Sequence, residues 1–152
     1  MQYSPASPPS ETKRSFRVLL VIVLVVMTVQ GWFGDTVNIF VAPVTGISPP
    51  AFSMSAFFQT VQSYGFLLIY HAYEGIALIF LSAIASALAF QWSPKRSVRI
   101  CVILGFIFVA SAAVGGYLFV LSGFSNGGNS AQMGGSFIGA YAFYFLTLYY
   151  AK

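Results

Sequence analysis

The chain alternates between long apolar stretches and short breaks rich in Gly, Pro, Ser or basic residues. The first stretch runs roughly from Phe16 to Phe33, and its core, Val18 to Val26, is apolar without interruption and rich in β-branched residues. Such a run favours a strand in water. In lipid the backbone must satisfy its own hydrogen bonds, so a single run of this length becomes a helix. Gln30, Gly31, Trp32 and Gly34 mark its exit, with Trp32 suited to the interface. The second stretch, Ala56 to Trp92, is longer than a bilayer requires, and its portion Ala56 to Tyr64 is expected to project beyond the lipid. The third, Val98 to Leu121, carries Gly105, Ser111, Ala112, Ala113, Gly115 and Gly116, a small-residue side suited to close helix contact. The fourth, Ala131 to Tyr150, opens on Met133-Gly134-Gly135-Ser136 and then turns aromatic. About 20 apolar residues cross a bilayer as a helix. The pattern therefore predicts an all-α membrane protein, a bundle of four transmembrane helices.

The breaks complete the division. Pro5, Pro8 and Pro9 block regular structure near the start, so residues 1–15 are expected as a disordered cytoplasmic tail and 16–152 as the transmembrane domain. Between Asp35 and about Ser55, residues Pro43, Gly46, Pro49 and Pro50 oppose a long helix. Ile39, Phe40, Val41, Ile47 and Phe52 keep that connection apolar, which suits a loop on the membrane surface or against a partner. Ser122 to Ser130 is expected as a flexible turn. The basic start Lys13-Arg14-Ser15-Phe16-Arg17 fits a signal peptide. The length of the run after it, with no small-x-small site, favours retention as the first span.

Composition agrees with the pattern. Only 7% of residues are charged, where a soluble domain carries about a quarter. All seven basic residues fall in three places: Lys13, Arg14 and Arg17; Lys95, Arg96 and Arg99; and Lys152. With four spans these places share one side, and the other two connections hold no Lys or Arg. The positive-inside rule then puts both termini in the cytoplasm of a multi-pass protein of the cell membrane. Basic residues so divided do not form a nucleic-acid patch. Cys101 lies inside an apolar run and has no second cysteine to pair with, so it is read as a packed thiol.

The chemistry is concentrated around one histidine. Counting about 20 residues from the basic end of each span brings Asp35, His71, Phe119 and Met133 to one layer near the outer boundary. Glu74 is one turn deeper than His71 on the same helix face, and Tyr70 and Tyr73 flank the pair. Ionisable groups inside spans are costly and often functional. A neutral imidazole binds metal or haem iron through one nitrogen, and bundle cytochromes place axial ligands on facing helices. His71 and Met133 are thus candidate cofactor ligands, and Gly75, Gly115, Gly116, Gly134 and Gly135 offer room for a flat macrocycle. Glu74, Tyr70 and Tyr73 are candidate proton or quinol contacts. The plain alternatives are an interfacial anchor for His71, a hydrogen-bonded carboxyl for Glu74 and packing for Met133. A centre without haem, from His71, Glu74 and Asp35 with Met27 and Met54, has no motif spacing behind it. There is neither a Ser–His–acid arrangement nor a phosphate-binding loop.

A histidine near the outer end of the second helix, then Gly75, a long run of small and apolar residues and a basic turn, resembles one half of haem A synthase. It is also broadly similar to other four-helix b-type cytochromes. The likeness spans roughly Tyr64 to Tyr150. That family completes its site with a second histidine near the outer start of the fourth helix, where this chain has Met133. The resemblance implies haem b held by His71 with Met133, by His71 alone, or shared with another chain. Two functions follow as expectations. One is a subunit of a respiratory-type electron-transfer complex, a b-type cytochrome with haem near the outer face and quinol as a possible partner. The other is an accessory subunit of a larger membrane complex with no cofactor of its own.

Overall fold

The structure, a computed structural model, describes residues 10–40, 52–93 and 95–152. The first nine residues of the expected tail, the middle of the first connection (41–51) and Pro94 lie outside the described residues. The described chain is five α-helices: α1 (Ser10–Phe40), α2 (Met54–Ser63), α3 (Phe66–Trp92), α4 (Arg96–Leu121) and α5 (Gly127–Tyr150). Among these, α1, α3 and α4 are long and apolar enough to cross a membrane. Each needs only about 20 residues to do so.

The helix boundaries differ from the sequence expectation in three regions. α1 starts at Ser10 rather than Phe16 and continues to Phe40, past the Gly34–Asp35 exit. Within it, Gly31 and Gly34 each admit a ring from a neighbouring helix. A methyl group on Gly31 would stand 3.0 Å from Phe137 Cζ, and one on Gly34 would stand 3.0 Å from His71 Cε1. The second stretch is not one helix but breaks at Tyr64–Gly65. Gly65 has φ 83°, a region costly for residues with a Cβ. The short α2 is set off by Ser53, whose Oγ accepts from Ala56 N at 3.1 Å, a normal N-cap. The turn expected at Ser122–Ser130 is shorter, because Asn126 Oδ1 accepts from Gly128 N and Asn129 N and starts α5 at Gly127. Phe124 takes a positive φ of 61°, unfavourable for an aromatic residue. Its ring is buried between Tyr64 and Phe119, with centroids 5.0 and 5.5 Å away.

The four long helices form a ring in which each touches two neighbours: α1 with α3, α3 with α4, α4 with α5, and α5 with α1. α2 lies across α3 and α4 at one end. The α4–α5 seam is the most intimate. Along it Tyr144 packs on Gly105, Phe108 on Gly139, and the Met133 backbone on Gly115. Midway, Ser111 and Ser136 share a hydrogen bond of 2.9 Å. The partners run in opposite directions along the chain, so the two helices are antiparallel. Small residues allow such an approach, and it supplies the dispersion contacts that hold helices together in lipid.

The basic residues converge at the end opposite α2. Lys95 Nζ donates to the carbonyls of Tyr150 (3.0 Å) and Lys152 (3.1 Å), capping the C-terminus of α5. Lys13, Arg14 and Arg17 surround a shallow groove that also touches Leu148. Between this basic end and the middle of the bundle, Leu20, Val23, Ala85, Ala89, Val98, Val102 and Tyr144 are fully buried.

Candidate functional site

Toward the α2 end the bundle opens into a cavity of about 410 Å³, within the range of small-molecule and cofactor sites, about 300–1,000 Å³. All four long helices line it. α1 contributes Met27, Gln30, Gly31, Gly34, Asp35 and Asn38; α3 contributes Leu68, His71, Gly75 and Ile79. From α4 come Val109, Gly116, Tyr117 and Phe119, and from α5 come Ser130, Met133, Gly134 and Phe137. Phe57 of α2 closes one side. The walls are mostly apolar, and polar atoms gather on α1 and around Ser130.

His71 is half-buried, its ring lying against Gly34. Its Nδ1 is enclosed, and the ring lies within hydrogen-bonding reach of the Gln30 backbone. Met133 reaches the same cavity from α5, and its sulfur lies 3.2 Å from where a methyl group on Gly116 would be. The backbones of α3 and α5 do not approach each other. The imidazole and the thioether therefore face the cavity from opposite sides of the ring of helices, not from adjacent helices. Asp35 and Phe119, the other members of the expected layer, line the cavity too.

The remaining candidates do not join them. Tyr70 lies outside the cavity wall and stacks on Phe33 with centroids 4.4 Å apart. Tyr73 is half-exposed beside Phe58, 6.2 Å between centroids. Glu74 is absent from the lining too, although its Oε2 is enclosed without a partner among the described residues. The separation follows from helix geometry: residues three apart differ by about 60° around the axis. The step from His71 to Gly75 stays on the cavity face, and the step to Glu74 turns away from it. Among the described residues no three of His, Cys, Asp and Glu gather as a metal site.

One residue of the site escaped the sequence reading. Gln30 is 9% exposed and lines the cavity. Its Nε2 donates to the His71 carbonyl at 3.1 Å, and it packs on Gly75, where a methyl group would stand 3.2 Å from Nε2. Its signal was available: a glutamine within an apolar span, one turn before Gly34, is costly without a partner.

Comparison with known proteins adds no relative. No protein family, no curated protein and no solved structure matches the chain.

Proposed function

We propose that the protein is a subunit of a respiratory-type electron-transfer assembly in the cell membrane, a b-type cytochrome that holds haem in the cavity with His71 as axial ligand. The observation that carries this reading is the meeting of His71 and Met133, one imidazole and one thioether, on opposite walls of a single apolar cavity. Three further features fit the group. Gly34 and Gly116 let His71 and Met133 sit close against the wall, and Gly134 leaves open space beside them. The lining is apolar where a porphyrin face would rest. Asn38, Ser130 and Tyr117 offer donors for its carboxylates.

The chain's own groups have distinct tasks. His71 would hold the iron through an imidazole nitrogen, and Met133 would offer a thioether, a donor that raises the reduction potential relative to a second histidine. The apolar walls exclude water and set the local dielectric, which also tunes potential. A bound haem would supply one-electron transfer, and the cavity would hold it near the α2 end. Tyr70 and Tyr73 lie outside the cavity and are exposed, so any proton or quinol contact they make is at the bundle surface; Glu74 also lies off the cavity, with its Oε2 enclosed.

The reading includes α5 as a fourth span and both termini in the cytoplasm. Its support is the packing of α5 along α4 and the gathering of all three basic clusters at one end. α5 is rich in Gly, Ser, Asn and Tyr, of which Ser136, Gly139 and Tyr144 lie on the α4 seam.

The test is the visible spectrum of the protein expressed with haem supply and purified in mild detergent. The expected result is a Soret band that His71→Ala abolishes. A colourless protein, or a band that survives His71→Ala, overturns the haem reading. The colourless outcome leaves an accessory subunit without a cofactor, and co-purification with larger subunits then supports that role.

A further inference from the structure

The basic end of the bundle holds two kinds of cation. Some are already engaged by the protein. Lys95 Nζ donates to the Tyr150 and Lys152 carbonyls, Arg99 Nε donates to the Ser93 carbonyl at 2.8 Å, and Lys152 Nζ sits 4.5 Å from the Tyr149 ring centroid. Lys13, Arg14 and Arg17 are exposed and have no partner among the described residues. Arg17 follows the other two by three and four residues, so the cations share one side of α1 and repel each other. Of the chain's acids, Asp35 and Glu74 belong to the other half of the bundle and Glu11 alone precedes the cluster, so the segment stays net positive. The three cations rim a groove whose wall turns apolar further along α1, at Val18, Val21 and Ile22, with Leu148 of α5 opposite. Those α1 side chains are 51, 46 and 45% exposed. The buried side of α1 is turned toward α3, where Phe16 meets Trp92 edge to face with centroids 6.4 Å apart.

We propose that this groove binds one anionic phospholipid, with its phosphate among Lys13, Arg14 and Arg17 and the start of an acyl chain along Val18, Val21 and Ile22 against Leu148. The dimensions match. At about 1.5 Å per residue, the cationic part of the groove covers about 6 Å along the α1 axis, and the apolar part covers about the same. The headgroup layer of a bilayer is about 5–8 Å deep on each side, with hydrocarbon below it. A helix that crosses lipid with its basic end at the surface therefore holds the cations at phosphate level and the apolar wall where acyl chains begin. Basic pockets between transmembrane helices take anionic headgroups. A zwitterionic lipid brings a cation of its own, which the cluster repels. A free phosphate or an acidic peptide would leave the apolar wall unused. The proposal needs α1 as a span, which its length and apolarity allow, and it is independent of the haem reading.

The test is native mass spectrometry of the full chain in mild detergent, titrated with phosphatidylglycerol or with phosphatidylcholine of the same chain length. The expected result is one retained phosphatidylglycerol at concentrations where phosphatidylcholine leaves none. Arg17→Gln should weaken that retention about fivefold. Arg96 is exposed at the same end but outside the groove, so Arg96→Gln, the same change of charge, should weaken it by less than about twofold. Glycerol 3-phosphate, a headgroup without chains, should not displace the lipid at equal concentration. Basic residues also set the orientation of a span. If Arg17→Gln does not insert, Leu148→Trp takes its place, since it fills the apolar wall with no change of charge and should also weaken retention. Equal retention of the two lipids overturns the proposal. Equal losses from Arg17→Gln and Arg96→Gln overturn it as well, because attraction is then spread over the whole basic end. Displacement by glycerol 3-phosphate would make the groove a site for soluble phosphate and would also overturn it.

Discussion

The two ends of the bundle are built from the same helices but packed to different purposes. At the basic end, side chains interdigitate until Leu20, Val23, Val98, Val102 and Tyr144 are wholly enclosed. At the α2 end the same four helices leave a cavity of about 410 Å³ with Gln30, His71 and Met133 in its wall. Lipid offers no hydrophobic drive between helices, so the bundle is held by dispersion and by a few hydrogen bonds. Close packing at one end can therefore offset contacts forgone at the other. The difference separates a tightly packed end from an open one.

Substitutions can break or sharpen that contrast. The largest effect on stability is expected at Tyr144, whose ring fills the notch over Gly105. Tyr144→Ala should cost about 3–5 kcal/mol, the usual price of an aromatic cavity, read as a fall in thermal unfolding temperature in detergent. Gly115→Ala should follow, at about 1–3 kcal/mol, because its methyl group would meet the α5 backbone at 3.0 Å. Ser111→Ala, which removes the 2.9 Å bond to Ser136, should cost about 0.5–1.5 kcal/mol. His71→Ala, in the cavity wall, should change haem-free stability by less than about 1 kcal/mol while removing haem binding. Tyr144→Phe should cost at most about 1 kcal/mol, because all it removes is the phenol's interaction with the Ser82 side chain. Reversal of this order, with His71→Ala more destabilising than Tyr144→Ala, would mean that the α2 end is the structural one.

Much of this division was legible in the sequence. Apolar run length gives the long helices, and the spacing of Gly105, Ser111 and Gly115 marks the seam that meets α5. Counting inward from the basic residues brings Asp35, His71, Phe119 and Met133 to one level, and all four line the cavity. Three things were not legible. The break at Gly65 depends on a positive φ that an apolar run does not announce. The early start of α5 depends on Asn126 capping a run of glycines and polar residues that reads as a loop. The exclusion of Glu74 from the cavity depends on the rotation of α3 about its axis, which depth counting ignores. Gln30 was hidden for a related reason: its role is set by the register of α1 against α3, which places its amide at the His71 carbonyl.

Native mass spectrometry of the protein extracted from its own membrane tests the central claim most directly, because cofactor and partners are weighed together. The wild-type chain should carry the mass of one haem, alone or within a larger assembly, and the His71→Ala chain should lack it. A wild-type chain that flies without haem, or a His71→Ala chain that retains it, would contradict the assignment of the cavity.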